Sequence, residues 1–340
     1  MREPFFGLTL TQAREVVQGL GFSPSHADKL RRQLLNGELP ELPGRRGEEL
    51  LDVLRESFDW VSIQEVRNQS ADDESCKFLF RLRDGEAVES VLLPGAKAPS
   101  LCLSTQVGCA MACKFCASGL HGAVRNLRAH ELLEQLIYIR RNAPVRRLVF
   151  MGSGEPTQNL QELSAAIGVL REEGGIGPRR MLVSTVGPAN AIHRLADLGF
   201  KVTLALSLHA LDQELRGELI PTQKQVDPLE LIEAADCFAQ KTGRAYQVEY
   251  VLIGGVNDSK VQAQELALVL TGRRAHVSLI PWNAVEGVEL QAPKQGVAQQ
   301  FLKILRNAGI SAVLRATVGG SANAACGQLR RQDLGSSECP

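Results

Sequence analysis

The feature that most constrains the fold is a strand–loop–helix pattern that repeats six times from residue 101 onward. Short apolar strands are expected at Leu101–Thr105, Arg147–Met151, Met181–Thr185, Val202–Ser207, Gln247–Leu252 and His276–Ile280. Helices are expected after them at about 128–141, 160–173, 189–199, 228–241, 259–271 and 295–307. In the second of these, Leu160, Leu163, Ile167 and Leu170 fall on one stripe. Short strands alternating with such helices imply right-handed βαβ units and therefore a parallel sheet. A further strand, Ala312–Ala316, precedes the tail. Six units suit an α/β partial (β/α)6 barrel better than a closed eight-stranded one.

The first hundred residues read differently. Leu10–Leu20, Ala27–Leu35 and Leu50–Phe58 have helical apolar spacing, with Ser23 and Ser25 as caps. Lys77–Arg83 and Ala87–Leu93 flank Asp84-Gly85, the signature of a β-hairpin. The expected organisation is a small helical domain over 1–75, a hairpin extension over 76–100, the barrel over 101–316 and a tail over 317–340.

The chemically distinctive residues gather after the expected strand ends. They include a cysteine loop, Gly152-Ser153-Gly154-Glu155-Pro156, Val186-Gly187-Pro188, Ser207-Leu208-His209, Gly254-Gly255-Val256-Asn257-Asp258 and Pro281-Trp282-Asn283. Ligands of barrels and open parallel sheets bind at that edge.

Four of the eight cysteines lie between Cys102 and Cys116. Disulfides of a small secreted scaffold would be spread along the chain, so this clustering points to metal or redox chemistry. Cys109, Cys113 and Cys116 supply three thiolates within eight residues. Three cysteines leave one iron of a 4Fe–4S cluster open to the amino and carboxylate groups of S-adenosylmethionine (SAM), as radical SAM chemistry requires. Zinc favours four closed ligands, and a ferredoxin-type cluster takes a fourth cysteine. Phe115 would shield the cluster.

Lys+Arg and Asp+Glu are both 38, so the formal charge is zero and nucleic-acid binding has to come from local patches. Seven Arg-Arg pairs occur, among them Arg31-Arg32, Arg45-Arg46, Arg140-Arg141 and Arg330-Arg331. A solvated face is the usual reading of any one pair. No run approaches the roughly 18 apolar residues of a membrane span, and the start is too interrupted for a secretory signal. The cytoplasm is the expected compartment.

In sequence, this chain resembles the RlmN/Cfr family of radical SAM RNA methyltransferases. The motifs run from Asp84-Gly85-Glu86-Ala87-Val88-Glu89 through Leu101–Cys109, Arg125-Asn126-Leu127, Gly154-Glu155-Pro156, Ser207-Leu208-His209-Ala210, Glu249-Tyr250-Val251-Leu252 and Leu279–Asn283 to Ala324-Ala325-Cys326-Gly327-Gln328-Leu329. The resemblance implies methylation of an adenine ring carbon, C2 before C8, in ribosomal RNA, with tRNA as a second candidate. It implies that one SAM methylates Cys326 and that a radical made from a second SAM activates the S-methyl group. The resulting adduct with RNA is resolved by Cys102, which forms a disulfide with Cys326, while Glu89 accepts a proton. It further implies SAM contacts from Gly154, Glu155, Ser184, Ser207, Leu208, His209 and Asn283, an electron donor such as flavodoxin or ferredoxin, and a monomer.

Several residues carry rival readings. Cys102 could be a packed strand cysteine, Glu89 a solvated strand residue and His209 a structural histidine. Cys76, Cys237 and Cys339 are expected to be non-catalytic, with Cys237 in the core of its helix. Ser153, Thr157-Gln158 and Thr185-Val186-Gly187 depart from the family pattern, as does Val318–Asn323, which lacks acidic residues; most of these departures are expected on the substrate side. Arg31-Arg32 and Arg45-Arg46 are the expected RNA contacts. The rival functions are a radical SAM enzyme with a non-RNA substrate and a non-enzymatic iron–sulfur protein.

Overall fold

In a computed structural model, which describes residues 2–95 and 98–329, a ten-stranded sheet organises the chain. Its strands are β1 (Glu65–Ser70), β2 (Cys76–Arg81), β3 (Ala87–Leu93), β4 (Ser100–Cys102), β5 (Arg147–Phe150), β6 (Met181–Thr185), β7 (Thr203–Ser207), β8 (Tyr246–Leu252), β9 (Ala275–Pro281) and β10 (Ala312–Leu314). They lie side by side in chain order. From β4 to β10 every pairing is parallel, with registers such as Leu101↔Leu148 and Val248↔Val277. From β1 to β4 every pairing is antiparallel, and Val91 stands opposite Cys102.

Helices α1 (Leu10–Gly19), α2 (Ser25–Leu35) and α3 (Arg45–Ser57) precede the sheet. α4 (Ala129–Arg140), α5 (Leu160–Glu172), α6 (Ala189–Asp197), α7 (Gln213–Leu219), α8 (Pro228–Thr242), α9 (Lys260–Leu270) and α10 (Val297–Asn307) alternate with the parallel strands. Helix α8 shows the local logic. Asp227 accepts from the Leu229 amide, Pro228 opens the first turn, and Gly243 at φ 72° ends the helix in the left-handed conformation.

The expected barrel, hairpin and N-terminal helices are all present, with three differences. Strand β1 lies inside the stretch expected to be helical, so the hairpin is part of a larger meander. The core is continuous: Phe5, Leu30 and Leu50 belong to the same buried cluster as Leu148 and Val248. Cys237 is exposed, because α8 turns Leu231, Ala235 and Phe238 inward instead. Cys339 and Arg330-Arg331 lie outside the described residues.

Arg31 corrects a larger expectation. It is wholly buried and makes a two-pronged ion pair with Glu173, Nε to Oε2 at 2.6 Å and Nη2 to Oε1 at 3.2 Å. Its Nη1 donates to the Leu8 carbonyl at 2.9 Å, and the guanidinium lies over the Phe6 ring. Arg31 ties the N-terminal helices to the end of α5 and presents nothing to RNA. Arg32, Arg45 and Arg46 are exposed.

Candidate active site

The parallel strands enclose two adjoining cavities, one above the other. The upper pocket, about 140 Å3, lies at the C-terminal strand ends, between the cysteine loop and the loops after β5, β6, β7 and β9. Cys109, Cys113 and Cys116 line it. The lower cavity, about 530 Å3, follows the inner face of the sheet and is lined by Cys102 and Arg315 among others. Cys326 lines both.

The cysteine loop is built to close tolerances. Gly108 has φ 74°, and a side chain there would collide with the Gly122 carbonyl, whose oxygen also accepts from the Cys109 amide at 3.1 Å. The Cys116 amide donates to the Cys113 carbonyl at 3.1 Å, and Trp282 Nε1 donates to the Phe115 carbonyl at 2.9 Å. Phe115 packs edge-on against His209, with ring centroids 4.8 Å apart.

Among the described residues, no three His, Cys, Asp or Glu side chains are drawn close enough to hold a single metal ion. Cys109, Cys113 and Cys116 instead stand apart around one pocket. Burial raises all three thiols, Cys109 to about 12, and neighbouring cysteines add to the rise at Cys109 and Cys113. A buried cation offsets this: Arg216 lowers the Cys113 thiol, and Cys113 raises Arg216 in return. Burial nevertheless holds Arg216 down at about 10. Its Nε donates to the Leu208 carbonyl at 2.9 Å and one Nη to the Val186 carbonyl at 2.7 Å. Three thiolate donors beside a buried cation fit an anionic iron–sulfur cluster. Arg216 was not singled out from the sequence; its only signal there is its place after Ser207-Leu208-His209.

The expected SAM residues fall into two groups. Gly154, Glu155, Ser184, Ser207, His209 and Asn283 line the upper pocket, and Leu208 does not. Gly154 has φ 108°, and a Cβ there would sit 2.7 Å from Gln106. The Ser184 and Ser207 hydroxyls are 3.1 Å apart on neighbouring strand ends. His209 Nδ1 accepts from the Val251 amide at 3.1 Å, so the ring's proton sits on Nε2. Burial lowers its pKa to about 3 and keeps the ring neutral.

Glu155, Asn283 and Leu208 act differently. The Glu155 carboxylate accepts from the Thr157 amide and hydroxyl at 3.0 and 2.7 Å and from the Val186 amide at 3.0 Å, clamping two strand-end loops together. Asn283 Nδ2 donates to the Cys326 carbonyl at 3.1 Å and holds the tail. Leu208 is fully buried and outside the pocket lining.

Two departures from the family pattern meet here. The Thr157 and Thr185 hydroxyls are 3.2 Å apart, and both are buried with Ser153. They form the floor under Glu155, not a substrate surface. The tail that carries Cys326 is docked by its backbone. Gly327 accepts from the Ala117 amide at 2.7 Å, and the Gly319 amide donates to Asp73 at 2.6 Å. Asp73, from the turn between β1 and β2, supplies an acidic partner that Val318–Asn323 lacks.

Cys102 and Cys326 line the same cavity, and Arg315 acts on both thiols. Burial and then the charge of Cys326 push Cys102 up to about 12, while Arg315 pulls both thiols down. Arg315 donates to Glu249 at 3.0 Å and to Ser278 at 2.6 Å. Burial raises the Glu249 carboxyl, which faces the upper pocket. Glu89 lies deeper on the face of β3 that also carries Val91 and Leu93, two residues lining the lower cavity. Its carboxylate meets Lys77 Nζ at 3.1 Å, outside the cavity lining.

Residues 103–267 match the family model described as the radical SAM superfamily. The chain is 40% identical to a probable dual-specificity RNA methyltransferase RlmN of Rhodopirellula baltica, over 95% of this chain and 89% of that protein. It is 39% identical to a protein of the same name from Gloeobacter violaceus, over 98% and 97% respectively. The crystal structure of a radical SAM methyltransferase from Sphaerobacter thermophilus superposes with a TM-score of 0.88 at 36% identity, covering 96% of this chain and 99% of that one.

Proposed function

Since the chain belongs to the RlmN family of radical SAM RNA methyltransferases, we propose that it methylates a ring carbon of adenine, C2 in preference to C8, through a methylated Cys326. Ribosomal RNA is the proposed substrate, with tRNA as a second one. The observation that carries this reading is the shared wall: Cys326 lines the pocket of the three loop cysteines and also the cavity that holds Cys102.

Cys109, Cys113 and Cys116 would hold a 4Fe–4S cluster, and Gly154, Ser184, Ser207 and His209 would surround SAM. When bound, these groups supply radical chemistry for a carbon that polar alkylation leaves inert. His209, neutral with its proton on Nε2, donates a hydrogen bond into the pocket and takes no proton. Glu155 and Asn283 would also meet SAM, while one fixes the loops and the other fixes the backbone of Cys326. Leu208 contributes by accepting from Arg216 through its carbonyl.

Cys326 would carry the methyl carbon to the adenine. Cys102 then attacks the Cys326 sulfur as a thiolate: the S–S bond forms as the bond between that sulfur and the bridging carbon breaks, and the carbon leaves with the electron pair and takes up a proton to become the methyl group. A deprotonated thiol is needed, and Arg315 favours it at both cysteines. Glu89, poised beside Lys77, would take the proton lost from the adenine carbon. The electron donor would be a flavodoxin or ferredoxin, and the working unit a monomer. No described helix is long and apolar enough to cross a membrane.

Mass analysis of nucleosides from a strain lacking the gene tests the reading. Loss of 2-methyladenosine, restored by the wild-type gene, is the expected result. Loss of 8-methyladenosine would move the reaction to C8, and an unchanged set of methylated adenines would overturn the reading.

A further inference from the structure

The lower cavity opens at the opposite end of the sheet from the cysteine loop, and arginines surround that opening. Arg147 is the first residue of β5, Arg179 and Arg180 lead directly into β6, and Arg244 lies just before β8. All four line the cavity, together with Arg315 farther in, and its lining contains no Asp or Glu. In a chain of zero formal charge this is a focused positive site.

These arginines are not consumed by the fold. Among the described residues, Arg147, Arg179 and Arg180 form no ion pair, and all three are exposed. Other arginines from Arg-Arg pairs are committed: Arg31 to Glu173, Arg273 to Asp236, and Arg140 to the Leu35 and Val145 carbonyls. Inside the mouth, Arg244 donates to Thr203 Oγ1 at 3.0 Å through Nη2. Its buried Nε and the buried Oε1 of Gln247 meet no protein partner. Arg244 and Gln247 both line the cavity, whose walls lead up to Cys102 and Cys326.

We propose that this arginine mouth grips the RNA backbone: Arg147, Arg179 and Arg180 bind phosphates flanking one unpaired nucleotide, which reaches through the cavity toward Cys326. The assignment rests on the RNA methyltransferase reading above and adds the entry side and the contacting residues. Guanidinium groups suit phosphate because two N–H donors meet two oxygens at once. The cavity, about 530 Å3, lies within the roughly 300–1,000 Å3 that bound small molecules occupy. It admits one nucleotide, so a paired base has to leave its helix before it can enter.

The test compares anaerobically purified holoprotein with the triple variant Arg147→Gln/Arg179→Gln/Arg180→Gln. Binding to a labelled RNA hairpin with an unpaired loop adenine is measured across a salt series. Each lost phosphate contact on a single strand flattens the plot of log affinity against log salt by about 0.7. The triple variant should therefore show a slope shallower by about 2, and affinity at low salt down at least about tenfold. Arg147→Lys/Arg179→Lys/Arg180→Lys should keep most of the slope, and iron content and thermal melting report folding in both. An unchanged slope in the Gln variant overturns the proposal. So does a slope lost instead in Arg45→Gln/Arg46→Gln, which would put the RNA on the N-terminal helices. If wild-type protein shows no salt-dependent RNA binding, the RNA reading itself fails, a result distinguishable from the first two.

Discussion

At the C-terminal ends of β4–β9 the chain gathers thiols, hydroxyls and glycines, whereas at the N-terminal ends of β5, β6 and β8 it gathers arginines. The upper end is densely cross-bonded. Glu155 joins two loops, Asn283 and Gly327 fasten the tail, and Arg216 sits sealed beneath the cysteine loop. The lower mouth has few such bonds, and its charged groups lie open. A site that must hold a cofactor in one geometry needs its side chains locked by neighbours. A surface that meets a flexible polymer needs charge and reach. The same fold provides both by separating them along the strand direction.

The largest effect expected is at the rigid end. Replacing Cys109, Cys113 and Cys116 together by Ala should abolish iron binding and the brown colour of anaerobically purified protein, read by iron assay and visible absorbance. Full iron content in that variant would remove the basis for placing the cofactor there.

Arginine use separates folding from binding more sharply. Arg31→Ala leaves Glu173 without its buried partner and should cost about 3–5 kcal/mol of stability, measured by denaturant unfolding, with the salt slope for RNA unchanged. Each single Gln substitution at Arg147, Arg179 or Arg180 should cost less than about 0.5 kcal/mol. Equal losses at the two regions would erase the distinction.

Between the two ends sits Cys102, whose thiol burial pushes up to about 12. A raised thiol pKa leaves little thiolate at neutral pH, so adduct resolution should quicken as pH rises. The expected gain is about tenfold per unit from pH 7 to 9, read by single-turnover release of RNA. A flat profile would mean that thiol deprotonation does not limit release.

The smallest effect concerns the floor of the upper pocket. Thr157→Val removes the hydroxyl that donates to Glu155 at 2.7 Å and should cost about 1 kcal/mol. Because Thr157 and Thr185 touch, adding Thr185→Val should cost less than the sum of the single changes. Strict additivity would show that the two threonines do not act together.

How much of this was legible in sequence depended on the range of the interactions. Five of the six strand ends were, to within one residue, because period and punctuation are local; the first, expected at Thr105, comes at Cys102. Strand β1 was not: Glu-Val-Arg-Asn-Gln-Ser has little apolar alternation, and the segment becomes a strand by pairing with β2. Arg31 reads as a surface pair because its partner, Glu173, is 142 residues away. Thr157 and Thr185 look like independent departures until the fold brings them together across 28 residues. Glu155 was found by motif, but motif could not tell that its carboxylate also accepts from the Val186 amide, 31 residues away. Arg216 and Arg315 were missed because a lone arginine carries no pattern; burial beside the cysteine loop distinguishes the first, and a place in the cavity of Cys102 and Cys326 the second.

The central claim is that Cys326 carries the carbon and Cys102 frees the product. Peptide mass spectrometry of Cys102→Ala protein purified from cells tests it most directly. The account predicts an RNA nucleotide joined through one carbon to the peptide containing Cys326, and no such adduct in Cys326→Ala. Finding that peptide unmodified in Cys102→Ala, with cellular RNA still methylated, would contradict it.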